Sequence, residues 1–179
     1  MARHTNIEKS EGFEAIANAA ARVLILGSLP GRKSLAEHQY YAHPQNAFWP
    51  IMLALFGIEG NYAERCSQLG QHQIALWDVL GASVRPGSMD ADILTDTAEA
   101  NDFKGFLELH PCVEMIAFNG RKAEQLFTKL VVLPDELLPD TVALPSTSPA
   151  YASISKSDKV DAWRAGLSAV LPIVEETKR

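Results

Sequence analysis

Apolar residues fall along this 179-residue chain in short runs alternating with longer amphipathic stretches. Four short runs read as buried strands: Arg22 to Leu26, Ile74 to Leu80, Val113 to Phe118 and Thr141 to Leu144. Each is branched or aromatic and is closed by Gly, Pro or Asn-Gly, which break extended chain. Between them lie helical stretches. Glu11 to Ala21 is alanine-rich and predicts a helix. A second helix opens at Asn46, a candidate N-cap, and runs to about Phe56, with Pro50 confined to its first turn. Tyr62–Leu69, Asp102–Leu109 and Arg121–Leu130 follow; the last carries Ala123, Leu126, Phe127 and Leu130 at i, i+3, i+4, i+7. Leu133 to Pro139 is a proline-bounded connector. Ser155-x-x-Asp158 forms a capping box for a final helix with the core stripe Val160, Trp163, Leu167, Val170 and Leu171.

Strands alternating with helices predict a parallel sheet covered on both faces. The length fits one domain spanning residues 1–179, with no repeat or long linker. In such a sheet the loops after the strands emerge at one edge, where open α/β folds place their ligands. The loops 27–45, 81–92, 119–120 and 145–155 are therefore predicted to meet. They bring together Tyr41, Asn46, Arg85, Asn119, Ser146, Thr147 and Ser148 in one polar and aromatic pocket.

Composition narrows the options. With 47% apolar residues the chain can bury a sizeable core, and a formal charge of −6 argues against broad electrostatic binding of nucleic acid. It leaves room for a local basic rim, for which Arg32, Lys33, Arg85, Lys156 and Lys159 are candidates. Cys66 and Cys112 are far apart, make no CxxC and read as two buried thiols in a reducing cytosol. Met1 to Ser10 is polar, without a signal peptide, and no apolar run approaches the roughly 20 residues of a membrane span. A soluble, cytoplasmic protein acting at the nucleoid, with no membrane partner, is expected.

Candidate chemistry concentrates in residues 27–49. Gly27 to Ser34 (GSLPGRKS) imitates a phosphate loop, but Arg32 stands where glycine must precede Lys33. His38 and His43 lack a third ligand at close spacing, so no metal site is expected. No G-x-S-x-G elbow is present. Trp49, Trp77 and Trp163 sit in apolar contexts and read as core; Asp78, at a strand end, either touches the site or caps a turn.

Three motifs carry a family resemblance: GSLPG at 27–31, YYAHPQNAFW at 40–49 and LPSTSP at 144–149. The first two resemble G-I-N-P-G and F-A-H-P-x-N-R-F-W, and the third resembles N-P-S-G-L-S, of the mismatch-specific uracil/thymine glycosylases in the uracil-DNA glycosylase superfamily. The deoxyinosine (hypoxanthine) glycosylase branch is closer still, with G-S-F-P-S, Q-Y-Y-G-H-P-R-N-A-F-W and L-P-S-T-S-P. The likeness runs from about Arg22 to Trp163. It implies a three-layer α/β/α sandwich around a four-stranded parallel sheet, and cleavage of the bond between a damaged base and deoxyribose.

Carried over position by position, the resemblance implies that Asn46 is the catalytic residue. Tyr41 matches the aromatic that stacks on the flipped base, and Gly27, Ser28, Leu29 and Pro30 match the loop whose backbone amides face it; His43 and Asn119 are further candidates for holding the base on their own chemistry. Ser146, Thr147, Ser148, Pro149 and Tyr151 fall in the loop that presses on DNA. Two departures stand out: Leu29 occupies the position of the water-positioning Asn of the mismatch-specific group, and Leu144 that of a His or Asn. Ala150-Tyr151 stands where the branch commonly has Ala-Asn.

Elementary chemistry supports the same residues. A base must be flipped from the duplex before it is reached, at a cost of a few kcal/mol. Stacking on Tyr40 or Tyr41 returns roughly 1–3 kcal/mol. Bond cleavage leaves negative charge on the base, which the Gly27–Gly31 backbone, Asn46 or Asn119 could meet with donors. No lysine other than Lys33 is placed for Schiff-base chemistry. The expectation is a monomeric, monofunctional, cofactor-independent glycosylase releasing hypoxanthine or uracil from single- or double-stranded DNA. A non-catalytic nucleobase- or DNA-binding module on the same fold is the alternative from another class, and a nucleotide-binding NTPase is a distant third.

Overall fold

The computed structural model describes residues 9–174; most of the polar opening Met1–Ser10 lies outside them. In chain order the elements are β1 (Lys9–Glu11), β2 (Val23–Gly27), α1 (Arg32–Glu37), α2 (Phe48–Phe56), α3 (Tyr62–Gln71), β3 (Ile74–Asp78), β4 (Leu80–Val84), β5 (Glu99–Ala100), α4 (Phe103–Leu109), β6 (Met115–Asn119), α5 (Arg121–Leu130), β7 (Asp140–Leu144) and α6 (Lys156–Leu167).

β3, β2, β6 and β7 pair in that order into a four-stranded sheet, every neighbour parallel. The two-residue period of the strands divides the core. Val23 and Ile25 of β2 face a cluster with Phe48, Ile51 and Met52 of α2, Leu69 of α3, and Trp163 and Leu167 of α6. Leu24 and Leu26 face the other way, onto Phe103 and Phe106 of α4 and Leu126 and Phe127 of α5. All five residues of β2 are buried, as a central parallel strand covered on both faces requires. This is the expected α/β/α sandwich.

Several expectations are corrected. Residues 11–21 are not helical. Gly12 N–H bonds Gly81 O at 2.8 Å, and Ile16 exchanges two 2.8 Å backbone bonds with Leu76, so this segment is spent on sheet edges despite its alanines. The run 74–80 is not one strand. β3 ends at Asp78, and β4 leaves to form a separate antiparallel sheet with β1 and β5. Residues 81–84, expected as loop, are therefore strand. The loop 27–45 also contains α1. Ser155 caps α6 as expected, accepting from Asp158 N–H at 3.0 Å. Of the two free cysteines, Cys66 is half-buried and Cys112 exposed, rather than both buried. Among the described residues no helix is long and apolar enough to cross a membrane.

Candidate active site

β2 is flanked by β3 on one side and β6 on the other, so the chain reverses its winding direction there, and a crevice opens beyond the strand ends. The last residue of each parallel strand, Gly27, Asp78, Asn119 and Leu144, lines one cavity of about 930 Å³. That volume lies at the upper end of small-molecule pockets and accommodates a nucleoside. All seven residues that topology alone was expected to gather, Tyr41, Asn46, Arg85, Asn119, Ser146, Thr147 and Ser148, line it.

The loop after β2 is pinned through four successive carbonyls. Gly27 O accepts from Val79 N–H at 2.8 Å and Ser28 O from Leu80 N–H at 3.0 Å. Leu29 O accepts from Arg85 Nη1 at 3.4 Å, and Pro30 O accepts from Arg85 Nη2. A trans peptide points its N–H opposite to its C=O. The amides of Ser28, Leu29 and Gly31 therefore point away from this anchoring side, in a loop that lines the cavity. Arg85 is buried, and burial pulls its basicity down while the nearby Asp90 and Asp78 hold it up. It is thus an internal clamp rather than a rim cation. Leu29 is also buried, packed among the side chains of the α4–α5 face. Ser28 Oγ donates to Asp90 Oδ1.

The two tyrosines separate. Tyr40 turns into the core, its hydroxyl donating to Glu14 O at 2.9 Å. Tyr41 takes a left-handed backbone (φ 55°), uncommon for a bulky residue, and swings toward the cavity. Its ring stacks on Phe48 with centroids 4.2 Å apart and planes 25° from parallel. One face is thus backed by the core. The Tyr41 hydroxyl is buried without a hydrogen-bond partner, and burial, then Asp78, push its pKa up against an opposing pull from Asn119.

Asn46 lies just outside α2, whose cap position is Ala47. Its Oδ1 nevertheless accepts from Phe48 N–H at 2.9 Å, so the expected capping is done from one residue earlier. The amide NH2 is left as the end able to serve the cavity it lines. His43 is exposed, with Nδ1 accepting from Gln45 N–H at 3.1 Å. Lys33 pairs with Glu37 at 2.5 Å.

Asn119 is buried and clips the last loop: its Nδ2 donates to Thr147 Oγ1 and its Oδ1 accepts from Thr147 N–H, both at 2.9 Å. Thr147 is consequently 1% exposed, its side chain held against Asn119. Ser146 and Ser148 are half-buried, whereas Pro149 and Tyr151 stand exposed at the lip. Lys159, expected at the surface, is buried beneath that lip and donates to Tyr151 O at 2.6 Å. No group of three or more His, Cys, Asp or Glu side chains among the described residues could hold a metal ion.

Asp78 is the residue that sequence reasoning left undecided. It is 3% exposed, lines the cavity floor, and has Oδ2 buried without a partner. Burial, then the charge of Asp90, push its carboxyl up to about 8, against the opposing pull of Arg85. It is register partner to Gly27, and a methyl group on Gly27 would stand 2.5 Å from Asp78 Oδ1 and 3.0 Å from the Tyr41 hydroxyl. Only glycine fits beneath this pair. The one sequence signal was an acid closing an otherwise apolar strand.

A family model described as the Uracil DNA glycosylase superfamily matches residues 14–169. A protein of Methanosarcina acetivorans named hypoxanthine DNA glycosylase is 37% identical over 157 residues, which are 86% of this chain and 95% of that protein. Its namesake in Methanosarcina barkeri is 37% identical over 118 residues, 64% of this chain and 73% of the relative. The solution NMR structure of a candidate uracil DNA glycosylase from M. acetivorans superposes with a TM-score of 0.69 at 33% identity, covering 88% of this chain and 98% of that one.

Proposed function

The chain belongs to the uracil DNA glycosylase superfamily, and from that membership we propose that it is a monofunctional DNA glycosylase. It hydrolyses the N-glycosidic bond of deaminated bases in single- or double-stranded DNA, hypoxanthine first and uracil second, and so initiates base excision repair. In this reading residues 1–179 act as one domain and as a monomer, without a cofactor. The names of the two Methanosarcina relatives support the choice of base.

The observation that carries the reading is the convergence of a core-backed aromatic face, a loop of oriented amides and the NH2 end of the Asn46 carboxamide on one cavity. A flipped base stacks on the open face of Tyr41, which Phe48 holds rigid from behind. As the bond to C1′ breaks, negative charge grows on the base and positive charge on the sugar. The Ser28, Leu29 and Gly31 amides supply preorganised donors to the anion. Asn46 positions water beneath C1′ or donates to the base; its oxygen, steadied by Phe48 N–H, is fixed before substrate arrives. Pro149 and Tyr151 press on the DNA at the lip. Leu29 and Leu144 are both buried and apolar, so neither takes part in proton or water handling.

The test is base release from labelled duplexes carrying inosine, uracil, or thymine opposite guanine, with wild type, Asn46→Ala and Asn46→Asp under single turnover. Wild type should release hypoxanthine, and Asn46→Ala should be slower by about 10²–10³, the worth of one preorganised group. Asn46→Asp keeps the acceptor for Phe48 N–H but places charge beside the leaving base, and should stay slow. Binding of these duplexes without release of any base would identify a non-catalytic module instead.

A further inference from the structure

A buried carboxyl with an unpartnered oxygen at the floor of a cavity is costly to maintain. An unsatisfied buried polar group destabilises the fold, and does so more strongly when charged. The Asp78 backbone carbonyl is already taken by Asn101 Nδ2 at 2.8 Å, but Oδ2 is not taken. Arg85, the nearby cation, commits Nη1 and Nη2 to the carbonyls of Leu29 and Pro30, and its Nε, buried and likewise without a partner, makes no hydrogen bond to Asp78. Beside Asp78 the Tyr41 hydroxyl is also buried and unpartnered, and both crowd the bare Cα of Gly27. Two unsatisfied polar groups thus meet where the base of the proposed substrate would rest.

We propose that Asp78 meets the flipped base as a neutral carboxylic acid, its O–H donating to the base's exocyclic carbonyl oxygen while its C=O accepts from the adjoining ring N–H. The proposal rests on the glycosylase reading above and deepens it. A carbonyl next to a ring N–H is the lactam edge that deamination creates: O6 and N1–H in hypoxanthine, O4 and N3–H in uracil. A neutral carboxyl offers one donor and one acceptor in the matching spacing. An ionised carboxylate offers acceptors only and would face the oxygen on which the leaving base gathers negative charge. Protonation of Asp78 is therefore required for binding and for departure alike.

The surroundings hold that proton. Burial and Asp90, in the turn after β4, disfavour the anion; Arg85, just past β4, favours it; Tyr40 and Tyr41, from the loop before α2, are themselves pushed to stay neutral. β2 contributes no titratable group at the contact, since Gly27 faces Asp78 there.

The experiment is the single-turnover rate of hypoxanthine release from inosine duplexes between pH 6 and 10, for wild type, Asp78→Asn and Asp78→Ala. An amide carries a donor and an acceptor but does not titrate. The ratio of wild-type to Asp78→Asn rates, in which ionisation of the inosine itself cancels, should be constant at low pH. It should fall about tenfold per unit above the Asp78 transition near pH 8. Asp78→Ala should be slower than Asp78→Asn at every pH, by about 10²-fold; if the alanine chain does not fold, the asparagine ratio decides alone. A ratio that stays constant to pH 10 overturns the neutral-acid role while leaving the glycosylase reading intact. No base release by wild type from any duplex overturns both.

Discussion

Replacing Asp78 by Asn should change stability by an amount that moves in the variant's favour as pH rises. The carboxyl titrates ordinarily at 3.8 and is pushed up to about 8 by folding. Between those values the folded chain keeps a proton that the unfolded chain gives up. The native state is thus penalised progressively as pH rises from about 4, and the penalty levels off above about 8. One pH unit is worth about 1.4 kcal/mol and roughly three units separate the ordinary value from neutrality, so the penalty at pH 7 is about 4 kcal/mol. The carboxyl is 3% exposed, so solvent screening takes little from this figure. The amide brings its own cost of about 1–3 kcal/mol if its NH2 stays unpaired, but that cost does not depend on pH. For a chain of this size each kcal/mol moves Tm by about 2–4 °C. The Tm of Asp78→Asn minus that of wild type should therefore rise by about 10 °C between pH 4 and pH 8, measured by circular dichroism melts. A difference that is the same at both pH values would show that Asp78 ionises in the folded protein as freely as in the unfolded one.

Tyr41→Phe should bind and process inosine DNA nearly as wild type and melt no lower, because the hydroxyl it removes is buried and unpartnered; Tyr41→Ala should lose a stacking contribution of roughly 1–3 kcal/mol, and equal losses in the two variants would sink the stacking role. Arg85→Met strands the Leu29 and Pro30 carbonyls, and at about 1.5–3 kcal/mol for a hydrogen bond to a charged group it should lower Tm and slow base release together; release at the wild-type rate would show that the loop holds its shape without the clamp. Activity should survive EDTA, and duplex affinity should fall only gently with salt, since a chain of charge −6 can neutralise few phosphates; a steep salt dependence or a divalent-metal requirement would count against this reading.

The sequence by itself determined the alternation of strands and helices, the parallel sheet and the edge at which its loops converge. Those follow from the spacing of apolar residues and from the rule that parallel strands end together, so Tyr41, Asn46 and Asn119 could be gathered before any coordinates were known. Tertiary structure alone decided the rest. Residues 11–21 have helical composition, yet edges offered by Leu76 and Gly81, some sixty residues away, take up their backbone bonds. Arg85 and Lys159 look like surface cations in sequence; they are buried where the fold presents the carbonyls of Leu29, Pro30 and Tyr151 to them. Asp78 shows the difference most plainly. Its identity is written in the chain, but its proton is held by burial and by Asp90, and its place beneath the base is set by the bare Cα of Gly27 on the neighbouring strand. Periodicity is a property of adjacent residues, whereas burial and electrostatic environment are sums over residues that only folding brings near.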